Sequence, residues 1–283
     1  MLRCAERDLD LTHPQIMGVL NITPDSFSDA GQFLQDDRVR LDAVMGEARR
    51  MVHAGAAVLD VGGESTRPGA TPVSEQQELA RVIPVVQALQ GLDVVVSVDT
   101  RHAAVAAAAI TAGAHMINDV TAGRDPRMLA LVAEAGVGFA LMHMQGSPAT
   151  MQQEPHYNDV VADVRAFLQR RAETCYAAGI PADRLLLDPG FGFGKTVTHN
   201  LQLLASLRCL RHDGLPLLVG LSRKSTIGAV TGRAVHEREF GSVAAAVIAA
   251  ERGANLIRVH DVAATMDGLK MWRAVADQEQ GQS

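Results

Sequence analysis

The sequence predicts an α/β fold in which eight parallel strands and the helices between them form a (β/α)8 barrel, also called a TIM barrel. Short apolar runs recur eight times, and a segment with helical periodicity follows each of them. The runs are continuous instead of alternating, which is typical of parallel strands covered on both faces. The predicted strands are Ile16–Leu20, Val58–Val61, Val94–Val98, Met116–Ile117, Gly138–Met142, Leu185–Leu187, Leu217–Val219 and Leu256–Val259. The predicted helices are Arg38–His53, Ser74–Leu89, Arg101–Ala112, Pro126–Ala135, Asp159–Ala178, Asn200–Leu210, Glu239–Arg252 and Asp261–Val275.

Glycine and serine mark several boundaries of these predicted helices. A glycine closely follows the first, third, fourth, fifth and seventh helices, and this position favours a C-terminal stop. At the start of the second helix, Ser74 with Glu78 nearby indicates an N-terminal cap. The glycines are Gly55, Gly113, Gly136, Gly179 and Gly253.

The same alternation of strands and helices is also compatible with an open, doubly wound sheet. Eight units, with no glycine-rich nucleotide fingerprint after the first strand, favour the barrel. No Ser- or Pro-rich linker divides the chain, so we expect a single domain over residues 1–283.

Composition and charge exclude several classes of partner. Apolar residues make up 47% of the chain and the formal net charge is -6, so no basic field favours nucleic acid or an anionic membrane. No apolar run is long enough to span a bilayer, and the first ten residues include five charged side chains where a signal peptide would be apolar. The three cysteines are widely separated and indicate reduced thiols. We therefore expect a cytoplasmic protein.

Polar and glycine-rich segments follow every predicted strand. The carboxyl ends of barrel strands share one rim, which is where barrel enzymes place their active sites. The segments are therefore expected to converge on one site at the C-terminal face. They are NITPDSFSD (Asn21–Asp29), DVGGESTRPG (Asp60–Gly69), DTR (Asp99–Arg101), NDV (Asn118–Val120), MHMQG (Met142–Gly146), DPGFGFGK (Asp188–Lys195), GLSRKS (Gly220–Ser225) and RVHD (Arg258–Asp261).

The motifs TPDSFSD, GGESTRPG, LLDPGFGFGK, GLSRKS and IRVHD, in this order, resemble those of bacterial dihydropteroate synthases. The resemblance runs from about Ile16 to Met271. It implies a transferase of folate biosynthesis that condenses 6-hydroxymethyl-7,8-dihydropterin pyrophosphate with p-aminobenzoate. The products would be 7,8-dihydropteroate and pyrophosphate.

The resemblance assigns five residues to pterin binding. One edge of the pterin ring presents an amino group, a ring N–H and a carbonyl, and a carboxylate can accept two parallel hydrogen bonds from such an edge. A lysine would donate to the ring and offset the charge of buried carboxylates. The implied pterin-binding residues are Asp99, Asn118, Met142, Asp188 and Lys224.

The resemblance also implies how pyrophosphate leaves. Its charge requires cations and N–H donors, and the family uses Mg2+. The implied pyrophosphate-binding residues are Asn21, Arg67, Arg258 and His260, with Asn21 as the metal ligand. The sequence has no acidic cage, which fits an ion held mainly by substrate phosphates. The residues implied to act in catalysis are Asp29, Lys224, Arg258 and His260, with Asp29 beside the developing cation of an SN1-like reaction.

A third set of residues is implied to hold p-aminobenzoate. Its carboxylate requires donors and its ring requires an apolar slot beside the pterin. The implied residues are Phe27, Thr66, Pro68, Phe193, Arg223 and Ser225, with only the stem of Arg223 in the slot. Sulfonamide inhibitors bind this pocket in the family, and the family is generally homodimeric through late helices.

Two alternatives remain within the pterin-binding barrels. A methyltransferase that passes the methyl group of a reduced folate to a corrinoid shares the barrel, but it does not need SRKS, TPDSFSD and ESTRPG together. A non-catalytic pterin-binding paralogue should lack some of the assigned polar residues. All of them are present: Asn21, Asp99, Lys224, Arg258 and His260.

Other short patterns suggest different chemistry but do not fit it. GFGFGKT at Gly190–Thr196 resembles a nucleotide-binding P-loop, yet Pro189 stands where the first glycine belongs. HEREF at His236–Phe240 lacks the second histidine of a zinc protease motif. His143, which lies between two methionines, is interpreted as pocket wall instead of a copper ligand. We expect the stretch Gly228–Arg238 to matter little for function.

Overall fold

Eight parallel strands form one barrel sheet in the computed structural model, which describes residues 1–24, 33–35, 38–65, 73–147 and 150–280. The strands are β1 (Gln15–Asn21), β2 (Ala56–Gly62), β3 (Val95–Asp99), β4 (Met116–Asp119), β5 (Gly138–Met142), β6 (Leu185–Asp188), β7 (Leu218–Val219) and β8 (Leu256–Val259). Their spatial order is β6-β5-β4-β3-β2-β1-β8-β7, and every neighbouring pair is parallel. The bridge between Leu187 and Leu217 joins the two remaining edges, β6 and β7. The predicted barrel is therefore confirmed.

Helices follow the strands around the barrel, close to the predicted positions. One helix, α7, was not predicted, because its seven residues are too few to carry a periodic apolar pattern. No helix in the described part of the chain is long and apolar enough to cross a membrane. The helices are α1 (Leu41–His53), α2 (Glu75–Leu89), α3 (Ala103–Thr111), α4 (Pro126–Ala135), α5 (Val160–Ala177), α6 (Val197–Ala205), α7 (Ser225–Thr231), α8 (Glu239–Glu251) and α9 (Val262–Gln280).

The N-terminus of α2 has the predicted serine cap but a different partner. Ser74 Oγ accepts a hydrogen bond from the backbone N–H of Gln77 at 3.3 Å, and the Gln77 side chain accepts from the Ser74 N–H at 3.0 Å. This reciprocal pair is a capping box, which satisfies two N–H groups that the helix leaves free. Glu78, the residue that the sequence pattern suggested, instead turns into the protein, where it is fully buried.

The barrel interior is filled from below by an N-terminal hairpin that the sequence did not predict. Its strands, Leu2–Cys4 and Arg7–Leu9, pair antiparallel and are three residues each, too short to show alternation. Their apolar side chains close the N-terminal end of the barrel. The inner cluster comprises Leu2, Cys4, Leu9, Leu11, Met17, Val58, Val95, Met116, Ala140, Leu186, Leu218 and Leu256.

The inner face of the barrel changes from apolar to polar along several strands. Successive side chains of a strand point to opposite faces, so residues two apart share a face. Two residues after Val58 comes Asp60, and two residues after Val95 comes Ser97. The same spacing leads from Leu256 to Arg258. The pattern therefore places polar groups in the upper barrel, above the apolar floor.

Candidate active site

A cavity of about 550 Å³ opens at the carboxyl ends of the strands. Every predicted site residue that the structure describes lines it. Those residues are Asn21, Asp99, Asn118, Met142, Asp188, Phe193, Arg223, Lys224, Ser225, Arg258 and His260. The remaining predicted site residues, Phe27, Asp29, Thr66, Arg67 and Pro68, lie outside the described residues.

Asp60 organises the floor of this cavity. Its side chain is fully buried, and Arg258 Nε donates to its Oδ2 at 2.6 Å. Ser97 Oγ donates to Asp60 Oδ1 at 2.7 Å, and Asn118 Nδ2 donates to Oδ2 at 3.2 Å. Arg258 also reaches Asp99 Oδ2, at 3.1 Å from Nη2. One buried carboxylate therefore fixes the orientation of both Asn118 and Arg258.

The contacts of Asp60 leave one acceptor of Asn118 free. The amide oxygen of Asn118 is buried and has no hydrogen-bond partner in the structure. A buried acceptor without a donor costs about 1–3 kcal/mol. An N–H group of a ligand in the cavity would satisfy it.

Asp60 and Ser97 were not predicted as site residues. The signal that could have found them is the spacing of two along β2 and β3, from the inward-facing Val58 and Val95.

Asp188 and Lys224 form the opposite wall with complementary charges. Asp188 Oδ1 accepts from the Gly190 N–H at 2.7 Å. Burial raises the pKa of Asp188, and Lys224 lowers it only in part. Burial lowers the pKa of Lys224 to about 8, against the opposing effect of Asp188. For each group, the opposite charge does not fully offset the effect of burial on the pKa. Both groups therefore remain available to a polar ligand.

Asp99 is a strongly perturbed carboxyl group of the cavity. Burial raises its pKa to about 7, Arg258 opposes that rise, and the nearby Asp60 adds to it. Arg258 shows the converse balance: burial lowers its pKa, but Asp60 and Asp99 outweigh burial and the net pKa is raised. The guanidinium therefore stays charged while Asp99 titrates close to neutral pH.

Lys195 holds the glycine-rich loop after β6 in shape. It is 3% exposed, and its ammonium contacts His143 Nδ1 at 2.9 Å and the carbonyl oxygens of Gly190 and Phe193 at 2.9 and 3.0 Å. Gly190 has a φ of 67°, and a Cβ there would lie 1.9 Å from the carbonyl oxygen of His143. This packing sets Phe193 against Lys224, whose Nζ is 4.8 Å from the ring centroid.

His143 has a different place from the predicted one. It does not line the cavity but lies beneath the loop as the partner of Lys195. Burial lowers the pKa of Lys195 to about 7 and that of His143 to about 3. In the sequence, Lys195 appears as the end of the segment DPGFGFGK and in a rejected P-loop, with no role of its own, because its acceptors are mostly backbone carbonyls that a motif does not reveal.

The segment after β7 forms the side of the cavity near Ser225. Arg223 lines the cavity, and its guanidinium is engaged because Nε donates to Asp261 Oδ2 at 3.0 Å. Arg238 Nη1 donates to the carbonyl oxygen of Arg223 at 3.0 Å. Val235 and Arg238 also line the cavity. The expectation that Gly228–Arg238 matters little is therefore wrong, because the loop after α7 folds back over the pocket.

A group of charged side chains that includes Glu64 lies at the edge of the cavity. Arg101 donates to both carboxylate oxygens of Glu64, at 3.0 Å each. Glu78 is buried beside this pair, and burial raises its pKa more than the hydroxyl of Thr100 and the neighbouring His102 lower it. In the sequence, Glu78 is recognisable only as a helix-start signal near Ser74.

Comparison with known proteins identifies the family. A family model described as "Pterin binding enzyme" matches residues 17–260. The dihydropteroate synthase of Haemophilus influenzae is 50% identical to this chain, over 95% of the chain and 96% of that protein. The dihydropteroate synthase of Escherichia coli K12 is 51% identical, over 94% and 93%. The chain belongs to the dihydropteroate synthase family.

Solved structures of dihydropteroate synthases share the whole barrel. The Yersinia pestis enzyme, in a complex with a sulfonamide drug, has a TM-score of 0.93 at 51% identity, with 98% of this chain and 99% of that chain covered. The Burkholderia cenocepacia enzyme, complexed with 7,8-dihydropteroate, has a TM-score of 0.89 at 47% identity, with 99% and 98% covered. The family resemblance drawn from the motifs is confirmed.

Asp99 should make the unbound synthase less stable as the pH rises from about 4 to about 7. Its carboxyl group has a pKa of roughly 3.9 in an unfolded chain and about 7 in the folded protein. The folded state therefore holds the extra proton across this range, and the free energy of unfolding falls with pH. Asp99→Asn removes this ionisation. We expect the free energy of unfolding of this variant, measured by urea denaturation, to fall less steeply with rising pH than that of the wild type. The two slopes should differ by up to about 1.4 kcal/mol per pH unit.

The matched control for this measurement is Asp183→Asn on the surface, where the side chain is 45% exposed. Equal pH slopes in Asp99→Asn and the wild type would contradict the raised pKa of Asp99.

Proposed function

We propose that this chain catalyses the condensation of 6-hydroxymethyl-7,8-dihydropterin pyrophosphate with p-aminobenzoate, giving 7,8-dihydropteroate and pyrophosphate. One observation carries the proposal: carboxylate, amide and ammonium groups suited to a pterin edge share one cavity with the cations suited to its pyrophosphate. The full-length identity of about half to named dihydropteroate synthases supports the same reaction.

The pterin would bind deep in the cavity, between the two walls. Asp188 offers a carboxylate to the amino group and ring N–H, and the free amide oxygen of Asn118 offers a second acceptor. Lys224 offers a donor to the ring carbonyl. Asp99, with a pKa of about 7, is able to accept or to share a proton with a ring nitrogen. Met142 offers an apolar surface to the ring, as the resemblance implies.

Pyrophosphate would leave toward Arg258 and His260. Arg258 is charged and already oriented by Asp60, so little reorganisation is needed when negative charge develops on the leaving oxygen. Nδ1 of His260 lies 3.0 Å from Ser222 Oγ, and this contact holds the orientation of the imidazole ring. Arg67, the remaining proposed cation, lies outside the described residues.

The oxygen atoms near Asn21 are suitable ligands for a Mg2+ ion. Asn21 lines the cavity at the end of β1 and provides an amide oxygen, and Thr23 lines the cavity two residues later. Mg2+ commonly binds one or two protein oxygens and completes its shell with phosphate oxygens and water. We propose Asn21 as its protein ligand. When bound, the ion would neutralise charge on the departing pyrophosphate.

p-Aminobenzoate would lie beside Phe193, with its ring against the stem of Arg223 and its carboxylate near Ser225. Thr66, Pro68 and Phe27 complete this proposed pocket outside the described residues. We propose an SN1-like course in which the carbon–oxygen bond to pyrophosphate breaks first. The arylamine nitrogen then forms the carbon–nitrogen bond and releases a proton, with Asp29 stabilising the cationic carbon. Sulfonamides would occupy the same slot as mimics of p-aminobenzoate.

The cellular setting follows from the thiols and the substrates. The described cysteines, Cys4, Cys175 and Cys209, are unpaired, which suits a reducing compartment. We propose that the enzyme acts in the cytoplasm on small-molecule substrates, without nucleic acid or membrane partners.

The reaction is tested by incubating the protein with the dihydropterin pyrophosphate, Mg2+ and p-aminobenzoate, and measuring dihydropteroate and pyrophosphate together. We expect equal amounts of both products. Arg258→Ala should lower kcat by about 10²–10³-fold, because it removes a preoriented charge from the leaving group. Arg50→Ala, on α1 with a side chain that is 73% exposed, is the control and should keep the wild-type rate. Pterin binding without any product from the wild-type protein would sink the synthase assignment and leave a pterin-binding paralogue.

The metal proposal predicts a specific defect in Asn21→Ala. Mg2+ should raise the affinity of the wild-type protein for pyrophosphate, measured by isothermal titration calorimetry with and without the ion. In Asn21→Ala this gain should fall by about tenfold, because a ligand to the ion is lost. Affinity for the pterin alone should be retained. An unchanged Mg2+-dependent gain in the variant would rule out Asn21 as the ligand.

We propose a homodimer formed through α7, α8 and α9. Several large apolar side chains on these helices are exposed, among them Val230, Phe240, Ile248, Met271 and Val275. Phe240 alone is 86% exposed, and an exposed apolar surface of this kind is typical of a protein interface. Analytical ultracentrifugation should give a dimer for the wild type and a monomer for Phe240→Asp. Leu41→Asp, on α1, should remain dimeric, and a monomeric wild type would refute the proposal.

A further inference from the structure

Three ionisable side chains from separate elements meet beside the cavity. Glu64 follows β2, Glu78 lies on α2, and His102 stands at the N-terminus of α3. One ligand atom from each lies within 4.8 Å of the others. Within the described ranges, this is the group of His, Cys, Asp and Glu side chains with spacing suited to a metal ion. We call it the Glu64–Glu78–His102 cluster.

Two members of the cluster have buried polar atoms without partners. The Glu78 side chain is 1% exposed, and neither of its carboxylate oxygens is in hydrogen-bond geometry with any group, the nearby hydroxyl of Thr100 included. His102 Nε2 is also buried and unpaired. A buried, unpaired carboxylate is strongly unfavourable, so such groups are normally paired or bound to a cation. The unpaired atoms face one another: His102 Nε2 is 3.9 Å from Glu78 Oε2.

The orientation of His102 suits a metal ligand. Its Nδ1 lies 3.3 Å from Glu75 Oε1, and the negative charge of that carboxylate favours a proton on Nδ1. This leaves the lone pair of Nε2 directed at the cluster. A carboxylate that fixes a histidine through its other nitrogen is the usual outer contact of a metal-binding histidine.

Distances and charges in the cluster also fit a divalent ion. His102 Nε2 is 3.9 Å from Glu64 Oε2 as well as from Glu78 Oε2. Two atoms that each bind one ion at about 2.1 Å lie at most about 4.2 Å apart, so only small side-chain movements are needed. Glu64, Glu75 and Glu78 supply three negative charges, and Arg101, paired with Glu64, supplies one positive charge. A divalent ion would neutralise the remainder.

We propose that Glu64, Glu78 and His102 bind one divalent transition-metal ion, Zn2+ or Mn2+, with Glu75 orienting the histidine. A nitrogen ligand combined with two carboxylates favours such an ion over Mg2+, which prefers oxygen ligands and bound phosphate. The site is therefore distinct from the Mg2+ position at Asn21 and requires no substrate. It joins the end of β2, the start of α2 and the start of α3 at the rim of the cavity.

The proposal is tested on metal-free full-length protein without substrates, so its outcome is independent of synthase activity. All proteins carry Cys209→Ser, because the exposed thiol of Cys209 is a general zinc ligand. ZnCl2 and MnCl2 are titrated by calorimetry, and Tm is measured with and without each ion. We expect one equivalent of bound ion and, at about a hundred times Kd, a rise in Tm of roughly 5 °C. Co2+ should give visible absorption bands from the same site.

Matched variants separate this site from others. His102→Gln and Glu78→Gln should lose the binding, and Glu75→Gln should weaken it by about tenfold, as for the outer contact of a metal ligand. His53→Gln, at an exposed histidine, should bind as the wild type does. Asn21→Ala should also retain the ion.

His102→Lys provides a variant that does not depend on the ion to remain folded. Its ammonium would supply a positive charge to Glu64 and Glu78, so its Tm without metal should equal or exceed that of the metal-free wild type and should not respond to metal. A metal-dependent rise in Tm that persists in His102→Lys would overturn the proposal. So would a wild-type protein that binds Zn2+ and Mn2+ no more tightly than His102→Gln does.

Discussion

The upper half of the barrel depends on the ion pair between Asp60 and Arg258. Both groups lie on barrel strands and face inward, where water is largely excluded. Removal of one member of such a pair costs about 3–5 kcal/mol, because the other charge is left buried alone. Ser97 and Asn118 complete the coordination of the same carboxylate. The pair therefore sets the positions of groups on four strands, and the cavity has its shape before any ligand arrives.

The buried charged groups of the cavity lower the stability of the unbound protein but allow it to recognise a ligand. Three nearby cations, Arg258, Lys224 and Lys195, lower the pKa values of Asp99 or Asp188, but burial raises these pKa values further than the cations lower them. In the unbound protein, burial opposes ionisation of Asp99 and Asp188, which is a cost. A ligand with several N–H donors and an anionic tail would satisfy both kinds of group together. Natural proteins often accept such local instability at binding sites.

Much of the fold could be predicted because the strands are buried on both faces. Continuous apolar runs located all eight barrel strands, and the polar segments after them located the cavity. Two pieces were not predictable from local pattern. The strands of the N-terminal hairpin are three residues long, and α7 has seven residues, so neither shows a period. The contacts of Asp60 with Ser97, Asn118 and Arg258 join residues far apart in sequence, and no single motif contains both partners. The same holds for the contact of Lys195 with His143.

The hairpin beneath the barrel has a consequence for synthesis on the ribosome. Leu2 and Cys4 are made well before Leu256 on β8, yet all three share one apolar cluster. The floor of the barrel therefore cannot be completed until Leu256 has emerged. Contacts of such long sequence separation slow folding, and domains fold as units during translation. The nascent chain must keep its first apolar residues unsatisfied while about 250 more are added, a period in which chaperones would have their main opportunity to bind.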